Sequence, residues 1–215
     1  MASQTLSSWL LSASLLALFS EAVAGQQIGT GIPEVHPRLR THKCTKNGGC
    51  KSQETTLVAD VRHRTFHNTQ GETIECSAAN KTICPDEATC SKNCNLQGVE
   101  YGSLGVLASD TAVTLRNYLY DGTEHKGISP RVYLLDEDGD NYEPIKLLNQ
   151  EISFQVDASN IGCGMNGALY LSEMEMSGGR STLNPAGAKY GTGYCDAQCP
   201  KSDFINGVVS KKPFP

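Results

Sequence analysis

The sequence predicts an all-β protein, a sandwich or barrel of short strands. Residues 151–157 alternate strictly, with Ile152, Phe154 and Val156 on one face and polar side chains on the other. This pattern is typical of a half-buried strand. Clusters of Gly, Asn and Asp separate several such runs at short intervals, as in sandwiches and barrels. No long helical periodicity and no internal repeat accompany them.

The first segment of the chain predicts secretion. Residues 9–19 form an apolar run, and small residues at 22–25 follow it. This order is that of a signal peptide, here residues 1–25, although the usual basic residues are missing before the run. A buried N-terminal helix is the alternative. A secreted, extracellular protein is therefore predicted, and no later stretch suits a membrane span.

The remaining elements follow in order along the chain. Strands are predicted over residues 112–119, 131–135, 144–148 and 168–174, and a structured loop over 178–193. An acidic turn follows residue 135. Its alternating Asp136, Asp138 and Asp140 allow a calcium interpretation, but its Gly is fourth rather than sixth as in an EF-hand. A solvated hairpin tip is the preferred interpretation.

Charge and cysteine content restrict the function classes. The net charge is −5 and no basic cluster is present, so nucleic acid is not an expected partner. The nine cysteines of a secreted chain favour disulfides, with one left over. The spacing of Cys84, Cys90 and Cys94 does not match structural zinc sites, so no metal is predicted. Asn80 begins a glycosylation sequon.

Two acids flank Met174 and invite comparison with a glycosidase carboxylate pair. Glu173 and Glu175 share one strand face with Leu169 and Leu171. The opposite face is polar and aromatic, and is the better candidate for binding sugar. Both acids are therefore interpreted as solvated.

Several long motifs follow one another along the chain. They are QQIGT (26–30), PEVHP (33–37), CTKNGGC (44–50), CPDEATCSKNC (84–94), SPRVYLL (129–135), CGMNGALY (163–170) and AGAKYGTGYCDAQCP (186–200). In this order they resemble the fungal glycoside hydrolases of family 7, the cellobiohydrolases and endo-β-1,4-glucanases. The resemblance covers residues 26–207 and is endoglucanase-like at 84–94. The segment 208–215 falls outside it and is interpreted as a non-homologous tail.

The resemblance implies a concanavalin-like jelly-roll β-sandwich, here incomplete, with its C-terminal strands missing. It also implies disulfides Cys44–Cys50, Cys76–Cys94 and Cys84–Cys90. The family partners of three further cysteines lie beyond this chain, so these are expected to be unpaired: Cys163, Cys195 and Cys199.

The activity implied by the resemblance is retaining hydrolysis of β-1,4-glucan by a secreted monomer without a cofactor. The family motif Glu-x-Asp-x-x-Glu, which holds the nucleophile and the acid/base, does not occur. The chain is therefore expected to stop before its catalytic carboxylates and to be inactive alone. A non-catalytic glucan-binding module is the alternative.

Substrate-binding positions of the family are nevertheless present. They are Arg131, Asn166, Tyr170, Tyr194, Asp196 and Gln198. Each also has a structural interpretation, such as Tyr194 packed in a core or Arg131 paired with an acid. One departure is visible, because His63 and Thr65 stand where the family has aromatic residues that stack on sugar.

Overall fold

The computed structural model describes residues 27–77 and 79–194, and most of the regular elements in that part of the chain are short strands. The one α-helix of these residues, α1 (Glu87–Asn93), and two 3₁₀ helices, Val61–His63 and Gly187–Tyr190, interrupt the strands. The strands are β1 (Gln27–Ile28), β2 (Thr41–Thr45), β3 (Gly49–Gln53), β4 (Thr56–Ala59), β5 (Phe66–His67), β6 (Thr73–Ile74), β7 (Asn95–Leu96), β8 (Val106–Ser109), β9 (Ala112–Leu115), β10 (Tyr118–Tyr120), β11 (His125–Gly127) and β12 (Val132–Leu135).

The strands pair mostly antiparallel. One sheet has the order β1-β7-β5-β6, in which only the β1–β7 pair is parallel. Two-stranded pairs are formed by β2–β3, β8–β9, β10–β11 and β4–β12. The β4–β12 pair places Val132 opposite Ala59 and Tyr133 opposite Val58. It therefore brings the end of β4 and the start of β12 to one place, where the candidate site lies.

Strand β4 and its neighbours form the core. Val58 and Leu135 are fully buried and pack with Tyr142 and with Ala188 of the second 3₁₀ helix. Ala59 packs in a second cluster with Tyr101. Burying a side chain such as Val or Leu contributes about 1.5–3 kcal/mol. The long loop before residue 194 is thus anchored on β4 and β12.

Two strand predictions are met, one of them with a change. The run 131–135 is confirmed as β12, because β4 pairs with it along its length. The run 112–119 divides into β9 and β10 at Arg116 and Asn117. Each half then pairs with a different neighbour, β8 or β11.

Three strand predictions are wrong. Residues 144–148, 151–157 and 168–174 lie in no strand, and the expected half-burial is absent: Phe154 is 56% exposed and Val156 66%. A strand requires a partner as well as alternation, and within the described residues no strand pairs with these segments. In the segment 144–148, Pro144 also lacks the N–H that a ladder uses.

The disulfides Cys44–Cys50, Cys76–Cys94 and Cys84–Cys90 are present as expected. The first joins β2 to β3. The other two join the segment before α1 to Cys90 within the helix and to Cys94 at its C-cap, and all four of their cysteines are buried. The sulfur atoms of Cys84, Cys90 and Cys94 lie within 4.8 Å of one another. All three are in disulfides, so no thiolate remains there to bind zinc. Cys163 is free and exposed, while Cys195 and Cys199 lie outside the described residues.

The acidic turn is closed by its own backbone. Asp136 Oδ1 accepts hydrogen bonds from the N–H groups of Asp140 (3.1 Å) and Asn141 (3.3 Å). Asp140 Oδ1 lies 3.3 Å from Lys189 Nζ. Asp136 and Asp140 therefore already have protein partners, and the exposed turn agrees with a solvated hairpin tip.

The predicted signal peptide (1–25) and tail (208–215) lie outside the described residues. Within the described part of the chain, no helix has the length and hydropathy needed to cross a bilayer. The sequon residue Asn80 is partly exposed, and its Nδ2 donates to the Glu75 carbonyl at 3.1 Å. A glycosylated amide nitrogen keeps one hydrogen for this bond, and glycosylation remains a prediction.

Candidate functional site

A buried carboxylate at the end of β4 organises the site. Asp60 caps the first 3₁₀ helix, since its Oδ1 accepts from the Arg62 N–H at 2.8 Å. Its Oδ2 accepts from the Tyr133 hydroxyl and lies 3.0 Å from Arg131 Nε. Burial, followed by the charge of Asp60, raises the pKa of Tyr133, so this tyrosine remains a neutral donor. Asp60 thus binds two side chains of the β12 segment from one position.

Arg131 lies between this carboxylate and an aromatic ring. Its Cζ is 4.3 Å from the centre of the Tyr194 ring, within the range of a cation–π contact. Its side chain is 23% exposed, compared with 5% for Asp60. The guanidinium is thus held in a fixed position while part of it still faces solvent.

Three tyrosines surround this arginine. The ring centre of Tyr194 lies 5.9 Å from that of Tyr133 and 6.5 Å from that of Tyr170. Tyr170 is 54% exposed. The Tyr194 hydroxyl, opposed by burial and assisted by Arg131, lowers the pKa of Tyr170. The result is a partly open aromatic surface beside a cation.

The loop that carries Tyr194 is held by buried polar groups. Asn184 Nδ2 donates to the Gly178 carbonyl (3.1 Å) and to Thr192 Oγ1 (2.9 Å). The Tyr142 hydroxyl donates to the Thr192 carbonyl at 2.6 Å. At Gly191, φ is 72° and a Cβ atom would lie 2.0 Å from the Ala59 carbonyl oxygen. Only glycine fits there. Because Gly191 has no Cβ atom, this loop can lie directly against the end of β4.

A charged network contacts the end of β4, where Arg64 donates to the Ala59 carbonyl at 3.3 Å. Glu34 accepts from both terminal nitrogens of Arg64 (2.5 and 2.9 Å) and from the Tyr101 hydroxyl (2.6 Å). Arg64 Cζ lies 5.0 Å from the ring centre of Tyr190. Burial raises the pKa of Glu34, but its bonds with Arg64 and His36, the Arg64 charge and the Tyr101 bond together lower it to about 2.

This network also connects segments that are distant in sequence. His36 Nε2 donates to the Lys189 carbonyl at 2.8 Å and lies 3.3 Å from Glu34 Oε1. It joins the N-terminal segment to the second 3₁₀ helix. The support of the site therefore comes from residues far apart in sequence.

The predicted residues are found in different places. Arg131, Tyr170 and Tyr194 are brought together, and Arg131 combines both interpretations, because it pairs with an acid and lies on an aromatic ring. Asn166 is exposed, outside the contacts that join these three. Asp196 and Gln198 lie outside the described residues.

The two acids near Met174 take no part in this group. Glu173 and Glu175 are exposed, and Glu175 accepts from the Ser177 hydroxyl at 2.6 Å. Sequence reasoning missed two members of the site, Asp60 and Tyr133. The position of Tyr133, two residues after Arg131 and on the same strand face, was a usable signal for one of them.

The family model described as glycosyl hydrolase family 7 matches residues 28–213. The match reaches into the segment 208–215, which the motifs quoted above do not cover. The endo-beta-1,4-glucanase celB of Aspergillus oryzae is 53% identical over 189 residues, which are 86% of this chain and 45% of that protein. The chain thus spans less than half the length of the curated relatives it matches.

Solved structures agree in fold. The native Humicola insolens endocellulase EGI matches with a TM-score of 0.76 and 43% identity, over 85% of this chain and 47% of that one. An endoglucanase I complexed with cellobiose matches with a TM-score of 0.74 and 43% identity, over the same shares. This likeness confirms the predicted jelly-roll class, of which the described residues form a part.

Proposed function

The chain belongs to glycosyl hydrolase family 7, and on that premise we propose that it forms part of the glucan-binding surface of a secreted endo-β-1,4-glucanase. The parent reaction would be hydrolysis of β-1,4-glucosidic bonds in cellulose with retention. The names of the curated relatives support the reaction class. The cellobiose complex of a structural relative supports the substrate class. The three disulfides of the present chain agree with an oxidising, extracellular location.

One observation carries the proposal: Arg131 is fixed against Tyr194, with the exposed ring of Tyr170 alongside. Aromatic faces pack against the apolar faces of sugar rings, and charged or polar groups bind their hydroxyls. Because Asp60 already fixes the guanidinium, little side-chain entropy is lost when a sugar binds. Asn166, Asp196 and Gln198 are proposed to contribute further polar contacts.

Binding without turnover is expected of these residues. Retaining hydrolysis uses two carboxyl groups about 5–5.5 Å apart, one as nucleophile and one as acid/base. The family motif that supplies them does not occur in the sequence. Glu173 and Glu175 are exposed and take no part in the group around Arg131. Binding with no catalysis is also what the glucan-binding-module alternative predicts.

Calorimetric titration of the secreted chain with cellohexaose tests the proposal. We expect binding, no binding of the α-linked maltohexaose, and loss of about tenfold in affinity for Arg131→Lys, which loses the planar group on Tyr194. Arg116→Lys, on the exposed turn after β9, is the matched control and keeps the wild-type affinity. Equal binding by wild type and Arg131→Lys would contradict the proposed site.

A reducing-sugar assay on the same samples tests catalysis. We expect no release from cellulose or soluble β-glucan above a mock purification. Clear turnover would show that carboxylates other than those of the family motif act in this chain, and would refute the expectation of binding without hydrolysis.

A further inference from the structure

His63 occupies a position between the two chain segments that meet at the site. It is the last residue of the 3₁₀ helix Val61–His63, directly after Arg62 and three residues after the capping Asp60. Its Nε2 lies 3.1 Å from the Arg131 backbone nitrogen and 3.2 Å from Arg62 Nε. Both of these groups are N–H donors, so Nε2 acts as their acceptor.

The segment before Arg131 needs this support. Ser129 has a φ of 41°, a left-handed conformation that is uncommon for a residue with a side chain. The Arg62 guanidinium donates to the Ser129 carbonyl at 3.2 Å. With the His63 contact, residues 62 and 63 hold two points of the loop that leads into β12.

An imidazole that accepts two N–H groups at Nε2 must be neutral and carry its proton on Nδ1. The charged groups that face it agree with this state. Burial, followed by the charge of Arg62, lowers the pKa of His63, and Arg131 and Arg64 act in the same direction. The charge of Asp60 opposes them.

We infer that neutral His63 is a positioning residue, which holds the backbone of Arg131 so that its guanidinium lies on Tyr194, and that its protonation weakens glucan binding. The inference rests on the proposed glucan binding. It also gives a specific role to a residue at which the resemblance implies an aromatic side chain.

The physical basis is a change of donor and acceptor. Protonation places a hydrogen on Nε2, which then faces the Arg131 N–H and the Arg62 guanidinium as a third donor. The bond to Arg131 is lost, and a second cation lies beside Arg62. Asp60 still binds the Arg131 side chain, so the arginine becomes less ordered but is not released.

The direction with pH follows from the lowered pKa. His63 is neutral well above its folded pKa, which lies below the ordinary 6.5. Affinity for glucan is therefore complete near neutral pH and declines as the pH falls through the folded pKa.

Calorimetry with cellohexaose, from about pH 8 to about pH 4, measures this decline. His63→Gln places an amide oxygen near the position of Nε2 and does not titrate, so we expect a flatter profile. His63→Ala removes the acceptor, and we expect several-fold weaker binding at every pH. His42→Gln, on exposed β2, is the matched control and follows the wild type.

A second measurement does not depend on binding. Imidazole ¹⁵N spectra of the wild-type chain should show the Nδ1–H tautomer for His63, and the Arg131 amide proton should shift in step with its titration. If cellohexaose fails to bind at every pH, the proposed function is overturned, and the pH dependence of binding with it. The Arg131 amide then still decides the positioning role.

Three results would overturn the inference. They are an Nε2–H tautomer, an Arg131 amide that ignores the titration of His63, and a His63→Gln binding profile identical to that of the wild type.

Discussion

The bidentate contact between Arg64 and Glu34 is a buried ion pair, with 0% and 2% of the two side chains exposed. Removal of one partner leaves a charge without compensation in the interior, which costs about 3–5 kcal/mol. Arg64→Met should therefore lower the free energy of unfolding by about that amount, measured by urea denaturation.

The matched control is a surface arginine. Arg40 pairs with Glu54 and Asp110 while its side chain is 41% exposed, and such pairs contribute about 0–1 kcal/mol. Arg40→Met should be nearly neutral. Similar losses in both variants would show that the Glu34 network does not carry the assigned stability.

Glu34 also gives stability a pH dependence. Its pKa falls from 4.5 to about 2 on folding, so the unfolded chain binds the proton more readily. The resulting stabilisation is complete above about pH 4.5 and is lost as the pH falls toward 2. The difference corresponds to roughly 3 kcal/mol. Urea midpoints across this range should fall less for Glu34→Gln than for the wild type and the surface variant Glu54→Gln. A smaller fall remains in every variant, because the pKa values of Asp86, Asp121 and Asp157 are also lowered.

Single residues of the site were predicted unequally. Arg131, Tyr170 and Tyr194 follow from family motifs, but the contacts that give Arg131 its orientation do not. Asp60 and Tyr133 lie 73 residues apart in sequence, and the pairing of β4 with β12 joins them. A local pattern contains no information on such a partner.

At the scale of elements, the same limit explains the strand predictions. Alternation describes which side chains share a face. The run 112–119 alternates less cleanly and still forms β9 and β10, because β8 and β11 lie beside them. Residues 151–157 alternate more strictly, yet pair with nothing in the described chain. Periodicity therefore predicts a tendency to be extended, and a partner decides whether a strand forms.

The disulfides differ in the elements they join. Cys76–Cys94 closes a sequence separation of 18 residues and is buried, while Cys44–Cys50 closes 6 within an exposed hairpin. Loop-closure entropy favours the longer loop by about 1 kcal/mol. Replacing Cys76 and Cys94 by Ala should thus lower Tm more than the same change at Cys44 and Cys50. Equal Tm losses would contradict this account.

At the scale of the whole molecule, two segments that lie in no strand, 151–157 and 168–174, expose apolar side chains. They are Phe154, Val156, Leu169 and Leu171, all more than half exposed. Exposed apolar surface binds hydrophobic dyes and promotes association. The chain should therefore bind anilinonaphthalene sulfonate, and Phe154→Ser with Leu171→Ser should reduce the fluorescence. Thr114→Ser, at an exposed site on β9, is the control.

The fold class of the whole molecule was predictable, but by two different routes. Short strands with frequent turns indicate a sandwich or barrel, and the jelly-roll assignment came from the family motifs. The three disulfide pairs were also implied by those motifs. How the loop from Gly178 to Tyr194 packs against β4 depends on buried polar contacts such as Asn184 with Thr192, which no motif describes.

The hydrogen bond from His36 to the Lys189 carbonyl joins residues 153 positions apart. It can therefore form only late in synthesis of the chain. A ribosome adds about 5–20 residues per second, so roughly 8–30 s pass between the two ends of this contact. Arg64 is made within seconds of Glu34 and can neutralise it early. Until Tyr190 is made, the pair lacks the ring that lies on Arg64 in the folded chain, so water still reaches both charges and their contact contributes little to stability.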